Sequence, residues 1–484
     1  SFSPEEEKGS KLKRQFSLST SGLALESRNS KLSLKVPTAK LDGSLEPFSN
    51  SLAIQSILLR EPTLSSDGVL TRETLANLIP LTMRPGVDDP LHQVIPSIAV
   101  KLLIADGGSV IIKKSGEKTP VRIWHSLQLS IKNFSNARLA STNDENSFRL
   151  SGEHLSSSAF FTWQGQFDKK NRPGGNLQLN DIDAVTIAPF LGRKSKDVEG
   201  TADVSGLLSI ALQAKGEKPL DYTLKSTRVT VKNLTLKDNG VEWLTVPELR
   251  CEPVSRINNV TDLGNIFLKN SRVALESERL PHLFKRFSER PTQHVIHGID
   301  FTGTILISNE KRNISTLEFT DTLLQANRLE QQQVNEENFV FSATVNKTGT
   351  LKTKGSLHLA PLQISSEIAF SKLKPIEVFS WFSDKPLLRN SQAALSGQGI
   401  FKYPQKEYSG SITADNIIIG DRKKPRLKAT RTRLNELFWS GTGQQLAVKY
   451  ILVEQPEFSW VRTDDEQSPI IPLSQFLRHI FFPK

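Results

Sequence analysis

Residues 127–134 read LQLSIKNF, and their apolar side chains alternate with polar ones, as at Leu129 and Ile131. A period of two places every apolar side chain on the same face of a strand. Val229 and Val231 keep the same period, which extends over most of the 484 residues. The alternation predicts a mostly β protein whose antiparallel strands face water on one side.

Glycine-containing tripeptides interrupt the alternating segments at many places. We predict that these tripeptides form turns between short strands, because Gly, Asn and Asp tolerate the backbone conformations of tight turns. Examples are Asp106-Gly107-Gly108, Pro173-Gly174-Gly175 and Asp238-Asn239-Gly240.

Five short segments have the spacing of amphipathic helices instead. Residues 71–81, 280–290 and 473–482 each place leucine or phenylalanine side chains on one helical face. Two shorter candidates are 185–191 and 376–382. We expect these helices to cover the ends or edges of the sheet, or to border an apolar cleft.

Two kinds of sequence block alternate along the chain. Leu34-Lys35-Val36-Pro37, in a block that we call A, recurs as Leu244-Thr245-Val246-Pro247 and more weakly at 427–430. In a second kind, B, the residues Phe148, Leu179, Ile182, Phe190 and Gly206 recur 191 positions later as Phe339, Phe370, Leu373, Trp381 and Gly397.

The predicted order of the blocks is A-B-A-B-A, at 15–82, 94–213, 222–290, 297–404 and 408–484. Repeats of this kind bury their apolar faces against neighbouring repeats, so we predict one continuous elongated body. The sequence begins with Ser1 and has no signal-peptide pattern, so we expect it to be a processed product or an excerpt of a longer chain.

The charge of the chain is moderately positive. There are 62 Lys and Arg residues against 51 Asp and Glu residues, which gives a net charge of +11. The densest basic cluster is at 422–433, and it lacks the interleaved aromatic residues that bind nucleic acid. We therefore predict no nucleic-acid partner; the cluster is either a solvated face or attracts anionic lipid head groups.

No arrangement of residues indicates a catalytic or metal site. The single cysteine, Cys251, is expected to be a small hydrophobic residue in a strand. His294 and His297 have no cysteine or carboxylate pattern that would complete a metal set. Nucleophile elbows, phosphate loops and dinucleotide-binding turns are all missing from the sequence. We predict a protein that is not an enzyme and needs no cofactor.

The composition favours contact with hydrocarbon. Phenylalanine occurs 25 times and tyrosine only 4 times, so most aromatic side chains carry no polar group. The alternation fits two architectures equally well: a sandwich of two filled sheets, or a single sheet curled into an open groove.

The order of these elements resembles the AsmA-like family, which includes bridge-like lipid transfer proteins of Gram-negative envelopes. The resemblance rests on IAVKLLIADGGSVII (98–112), Trp163-Gln164-Gly165, LQLNDIDAVTIAPFL (177–191) and LAVKYILVEQPEFSW (446–460). It covers nearly the whole chain. It implies a repetitive antiparallel sheet curled into an elongated taco-like groove, with short helices at the block ends.

The resemblance also implies a function in lipid transport and outer-membrane biogenesis. Relatives reside in the periplasm and pass phospholipid between the inner and outer membranes, and a transmembrane helix that this sequence lacks anchors them in the inner membrane. The expected partners are phospholipid acyl chains, one or both membranes, and an outer-membrane or other envelope protein. An alternative function is a structural scaffold that helps outer-membrane proteins to assemble.

Seven apolar strand residues are our candidates for the lining of the groove. They come from both B blocks and from two A blocks, and all of them are uncharged aliphatic residues. The candidates are Leu129, Ile131, Val229, Val231, Leu212, Leu359 and Val448.

Overall fold

The computed structural model describes residues 3–4, 14–26, 32–46, 51–67, 97–113, 121–135, 146–155, 158–168, 172–184, 197–212, 220–238, 240–257, 260–276, 294–309, 314–329, 336–359, 362–374, 392–421, 424–440 and 445–458. These residues are nearly all in β-strands, and apart from the single residues Ala184 and Asp197 these ranges contain no helical residue. The β class predicted from the alternation is therefore confirmed. In the described part of the chain no helix has the length and hydropathy of a membrane crossing.

The five predicted helices lie outside the described residues. The groove shape stays a prediction.

The described residues form 26 strands that belong to one mostly antiparallel sheet. The first eleven strands are β1 Ser3–Pro4, β2 Arg14–Glu26, β3 Leu32–Glu46, β4 Ser51–Arg60, β5 Thr63–Asp67, β6 Ser97–Lys113, β7 Val121–Ser135, β8 Ser147–His154, β9 Phe160–Phe167, β10 Pro173–Asp183 and β11 Val198–Leu212. The others are β12 Leu220–Asp238, β13 Val241–Ile257, β14 Val260–Asp262, β15 Asn265–Glu276, β16 His294–Val295, β17 Gly298–Asn309, β18 Ile314–Ala326, β19 Phe339–Val345, β20 Gly349–Leu359, β21 Leu362–Leu373, β22 Gln392–Tyr403, β23 Glu407–Asp421, β24 Lys424–Ser440, β25 Gln445–Glu454 and β26 Glu457–Phe458.

The chain forms two compact units. The first comprises Ser1–Ile187, Thr201–Thr230 and Glu252–Thr261, and the second comprises Ala188–Gly200, Val231–Cys251 and Asp262–Lys484. In the first unit, strands β6 to β11 pair in chain order as antiparallel neighbours. In the second unit, strands β17 to β25 do the same.

Each unit also contains a parallel pairing, which the alternation alone did not predict. In the first unit β4 and β5 pair in parallel with β6, and in the second unit β15 pairs in parallel with β17. A parallel pair needs a long crossover connection between its strands. The predicted helices at 71–81 and 280–290 fall within these two connections.

The recurring motif of the A blocks marks one of the most buried positions of the chain. Val36 and Val246 are 1% and 0% exposed, and Ala429 in the weak third match is 4% exposed. Because the same motif position is buried in all three places, the weak third match has the same structural role as the first two.

The two B blocks share a β-bulge, an extra residue that shifts the strand register. One bulge lies between Leu179 and Ile182 in β10, and its counterpart lies between Phe370 and Leu373 in β21. Asp181 and Lys372, within the bulges, have positive φ angles of 51° and 52°. These residues are 191 positions apart, so the predicted offset holds for β10 and β21.

The predicted equivalence of Gly206 with Gly397 is wrong by two residues. Gly206 pairs with Leu177, whose counterpart 191 positions later is Ile368, and Ile368 pairs with Gly399. The spacing changes because 28 residues lie between Leu177 and Gly206, whereas 30 lie between Ile368 and Gly399. Phe190 and Trp381 lie outside the described residues.

Two of the predicted glycine turns are also corrected. Pro173, Gly174 and Gly175 begin strand β10, and Asp106, Gly107 and Gly108 lie inside β6. In β6 the glycines occupy an irregular register opposite β7, where Gly107 has a φ of 69°. Glycine in these places allows a bulge or a close approach of two backbones instead of a chain reversal.

Candidate functional site

Two rows of mostly apolar residues cross the six antiparallel strands β6 to β11 of the first unit. The members of a row are directly paired, so their side chains project from the same face of the sheet. We call this surface the first apolar face. Its rows are Leu103, Ile131, Phe148, Gly165, Gly175 and Leu208, and Ala105, Leu129, Leu150, Trp163, Leu177 and Gly206.

Most side chains of the first apolar face are only half-buried. Ala105 and Phe148 are buried, whereas Leu129, Ile131 and Trp163 keep an intermediate exposure. The residues between them along the strands, such as Arg149, Gln164 and Gln178, are exposed on the opposite face. The strands thus separate an apolar face from a polar one, and the apolar face is incompletely covered.

Aromatic rings join the strands of the first apolar face. The Phe148 ring centroid lies 4.6 Å from that of Trp163 and 5.4 Å from that of Phe167, which in turn lies 5.3 Å from Phe134. The Trp163 indole N–H donates to the carbonyl oxygen of Leu208, at 3.4 Å. The indole therefore satisfies its polar group within the sheet and leaves the rest of its ring as apolar surface.

The second unit has a similar surface across strands β19 to β25, which we call the second apolar face. Its middle row is Phe341, Thr353, Ile368, Gly399, Gly410, Leu437 and Val448. The rows on either side are Phe339, Gly355, Ser366, Phe401, Tyr408, Trp439 and Leu446, and Ala343, Leu351, Phe370, Gly397, Ile412, Leu434 and Ile451. Leu437 is buried, and most other apolar members are half-buried.

Glycine pairs bring neighbouring backbones unusually close together in both surfaces. A Cβ added to Gly175 would lie 2.5 Å from the Cα of Gly165, and a Cβ added to Gly410 would lie 2.5 Å from the Cα of Gly399. The paired backbones therefore approach each other most closely on the side of the apolar rows. We call each of these close backbone approaches a crease.

A cavity of about 970 Å³ lies along strands β19 to β24 of the second unit. Each of these six strands contributes three successive residues to the lining, for example Val340, Phe341 and Ser342 of β19. The side chains of the first and third residue project from one face of the sheet, and that of the middle residue projects from the other. The lining therefore includes the middle row of the second apolar face on these six strands and, from each strand, the two residues that flank it. Two lysines line the cavity, and one of them, Lys354, forms ion pairs with Glu337 and Glu367 at 2.9 and 3.2 Å. Hydrogen bonds to these carboxylates raise the pKa of the Lys354 amine.

The structure places the seven predicted lining residues differently. Leu129 and Ile131 belong to the first apolar face and Val448 to the second, and all three are half-buried. Val229 is half-buried and Val231 is buried, both on β12. Leu212 ends β11 and Leu359 ends β20, and their side chains are outside the described set.

The basic cluster at 422–433 is partly neutralised by carboxylates. Lys428 pairs with Glu457 at 3.6 Å, Arg433 pairs with Glu454 at 3.7 Å, and Arg431 pairs with Asp415. These pairs connect neighbouring strands of the sheet. The described part of the cluster is therefore a network of cross-strand ion pairs.

Two further residues were singled out by the sequence: His297 has a carboxylate neighbour, and Cys251 lies in a strand. The His297 Nε2 lies 3.0 Å from the Asp262 carboxylate. Cys251 lies in β13, where burial raises the pKa of its thiol to about 11. Among the residues that the structure describes, no group of three or more His, Cys, Asp or Glu could hold a metal ion.

The sequence analysis missed the residues that shape the two surfaces. Gly165, Gly175, Gly399 and Gly410 form the creases, and Phe148 and Trp163 form the centre of the aromatic row. Glycine inside an alternating segment was the available signal, because it marks a close backbone approach as well as a turn.

Comparisons of this chain with protein-family models, with curated proteins and with solved structures find no match. The resemblance to the AsmA-like proteins stays a prediction.

Proposed function

We propose that this chain binds the acyl chains of phospholipids on its apolar faces and passes lipid along them. It would do so in the periplasm of a Gram-negative envelope, between the inner and outer membranes, without catalysing a reaction. The localisation and the membranes are what the resemblance to the AsmA-like family implies, and the half-exposed apolar faces support the proposed binding surface.

The observation that carries the proposal is the half-exposed state of paired apolar rows. Leu129, Leu150 and Trp163 lie side by side on three neighbouring strands without being buried. Completing the burial of one such side chain is worth about 1 kcal/mol, half the value for a fully exposed one. A row of such side chains binds an acyl chain through many weak contacts, and these contacts do not select a particular lipid head group.

Lipid retained on the purified protein tests this proposal. We expect phospholipid to copurify with the full chain expressed in a bacterial envelope, measured by mass spectrometry of the extract. Leu129→Glu places a carboxylate within the first apolar face, at a cost of several kcal/mol if acyl chains cover it. This variant should retain several-fold less lipid.

Gln128→Glu is the matched control, because it adds the same charge to the exposed face of the same strand. Circular dichroism should give the same β spectrum for both variants. Equal lipid retention by the two folded variants would contradict the proposal, and the assembly scaffold would then be the better function.

A further inference from the structure

Strand β25 has one open edge. Among the described residues it pairs with β24, and no other strand pairs along its length. Tyr450, Ile451, Leu452 and Val453 are 38–56% exposed, although all four are large and apolar. An uncovered edge of this composition is a template for pairing with another chain.

The corresponding strand of the first A block is β4. Val36 corresponds to Ala429, so the pairings Thr38 with Arg60 and Arg431 with Glu454 are equivalent. Both strands then reach a proline after a residue with positive φ, Glu61 at 51° and Gln455 at 49°.

Beyond the proline, the chain pairs again with the strand that lies next to it before the proline: β5 pairs with β3 in the first A block, and β26 pairs with β24 in the third. Thr63 pairs with Lys35 in the first copy, and Glu457 pairs with Lys428 in the third. By this alignment Leu452 corresponds to Leu58, and Ala447 corresponds to Ala53.

In the first copy a parallel strand covers this edge. Ala53 pairs with Ala99, and Leu58 pairs with Ile104 of β6. The edge of β15 in the second A block is covered in the same manner by the parallel strand β17. Two of the three copies thus have a parallel partner where β25 has an open edge.

In the first A block, two backbone hydrogen bonds beside Pro62 fix the register in which β4 and β5 pair with β6. The Glu61 N–H donates to the Asp106 carbonyl at 2.7 Å, and the Ser109 N–H donates to the Pro62 carbonyl at 2.9 Å. A Cβ on Gly108 would lie 3.2 Å from the Pro62 carbonyl oxygen, and Gly107 has a φ of 69°. Glycine therefore fits best at both positions opposite the proline.

We propose that the edge formed by β25 and β26 docks a parallel strand from a partner polypeptide. The partner strand resembles Ser97–Lys113: it is largely apolar, and it places two glycines opposite Gln455-Pro456. Main-chain hydrogen bonds provide the affinity, and the glycine pair and the apolar residues provide the specificity. The inference is independent of lipid binding.

A synthetic peptide with the sequence of Ser97–Lys113 serves as the probe. The full chain carries a photoreactive phenylalanine derivative at Leu452 or at Ala447, and crosslinked peptide positions are read by mass spectrometry. Leu452 should react near Ile104 of the peptide, and Ala447 near Ala99. The control position is Leu207, which is 45% exposed but lies on β11, a strand inside the sheet.

A second peptide with valine at both glycine positions tests the register. Its crosslinking at Leu452 should fall by about tenfold or more, because branched side chains collide with the proline and disfavour positive φ. Four results would overturn the proposal: crosslinks in antiparallel order, equal yields at Leu452 and Leu207, crosslinks from Leu452 to a second copy, or crosslinks to this chain's own residues.

Discussion

At the scale of single residues, two neighbouring glycines of β10 have opposite roles. Gly175 faces the backbone of Gly165 across the crease, whereas the nearest atom to a Cβ on Gly174 would be the Ser209 hydroxyl, which can rotate away. The crease therefore depends on Gly175.

Alanine substitutions test this difference. Gly175→Ala should lower the free energy of unfolding by about 1–3 kcal/mol, because the methyl group overpacks two backbones. Gly174→Ala should change it by less than about 0.5 kcal/mol. Urea titrations followed by circular dichroism measure both values, and equal effects would show that no crease is needed.

Cys251 gives a residue-scale prediction on reactivity. Burial disfavours the thiolate and raises its pKa to about 11 from the ordinary 9.0. The thiolate is the nucleophile, so the folded chain should react with iodoacetamide at pH 8.5 roughly a hundredfold more slowly than the unfolded chain. The rate for the folded chain should rise until the pH reaches about 11. Similar rates in buffer and in urea would contradict a buried thiol.

At the scale of strands, the recurring bulge is held by a side chain of the next strand. The Asp181 N–H donates to the Asp203 carboxylate at 2.8 Å, and the Lys372 N–H donates to the Ser396 hydroxyl at 3.2 Å. The two copies thus use different acceptors for the same backbone group.

We expect Asp203→Ala to destabilise the chain by about 1–3 kcal/mol, because it leaves a backbone donor of the bulge without this acceptor. Asp203→Ser should recover part of the loss, since a serine has the same function in the second copy. Denaturation midpoints provide the measurement. A serine variant no more stable than the alanine variant would argue against the shared role.

The strands also explain what sequence reasoning could and could not predict. The alternation at Leu129 and Ile131 predicted both the strand and its half-buried side. It could not predict the parallel pairing of β4 with β6, because that pairing depends on the crossover that connects the strands and not on the alternation within either strand. It misassigned Gly174 and Gly175 as a turn, since a turn and a crease both require glycine.

At the scale of the whole molecule, each unit has its own apolar face. Ile368 lies in the middle row of the second apolar face, as Leu129 lies within the first. If each face binds acyl chains, Leu129→Glu and Ile368→Glu should each remove part of the retained phospholipid, and the double variant should remove most of it. Additivity is expected for sites without shared partners.

Ala369→Glu is the control for the second unit, because Ala369 is exposed on the other face of the same strand. Quantitative mass spectrometry of bound lipid compares the four variants with the parent chain. Loss of all lipid from either single variant would contradict separate binding by the two faces.

The chain-order pairing of β6 to β11 and of β17 to β25 has a consequence for how this protein folds. Each of these strands finds its partner in the segment that was made just before it, so the sheet can grow by one strand at a time from the N-terminal side. Bringing together two segments that are close in sequence costs the chain little conformational entropy, so such strand pairs form quickly. The parallel pairings of β4 with β6 and of β15 with β17 can form only after their crossover connections have folded back. We therefore expect these two pairings to be the slow steps in a sheet that otherwise forms strand by strand.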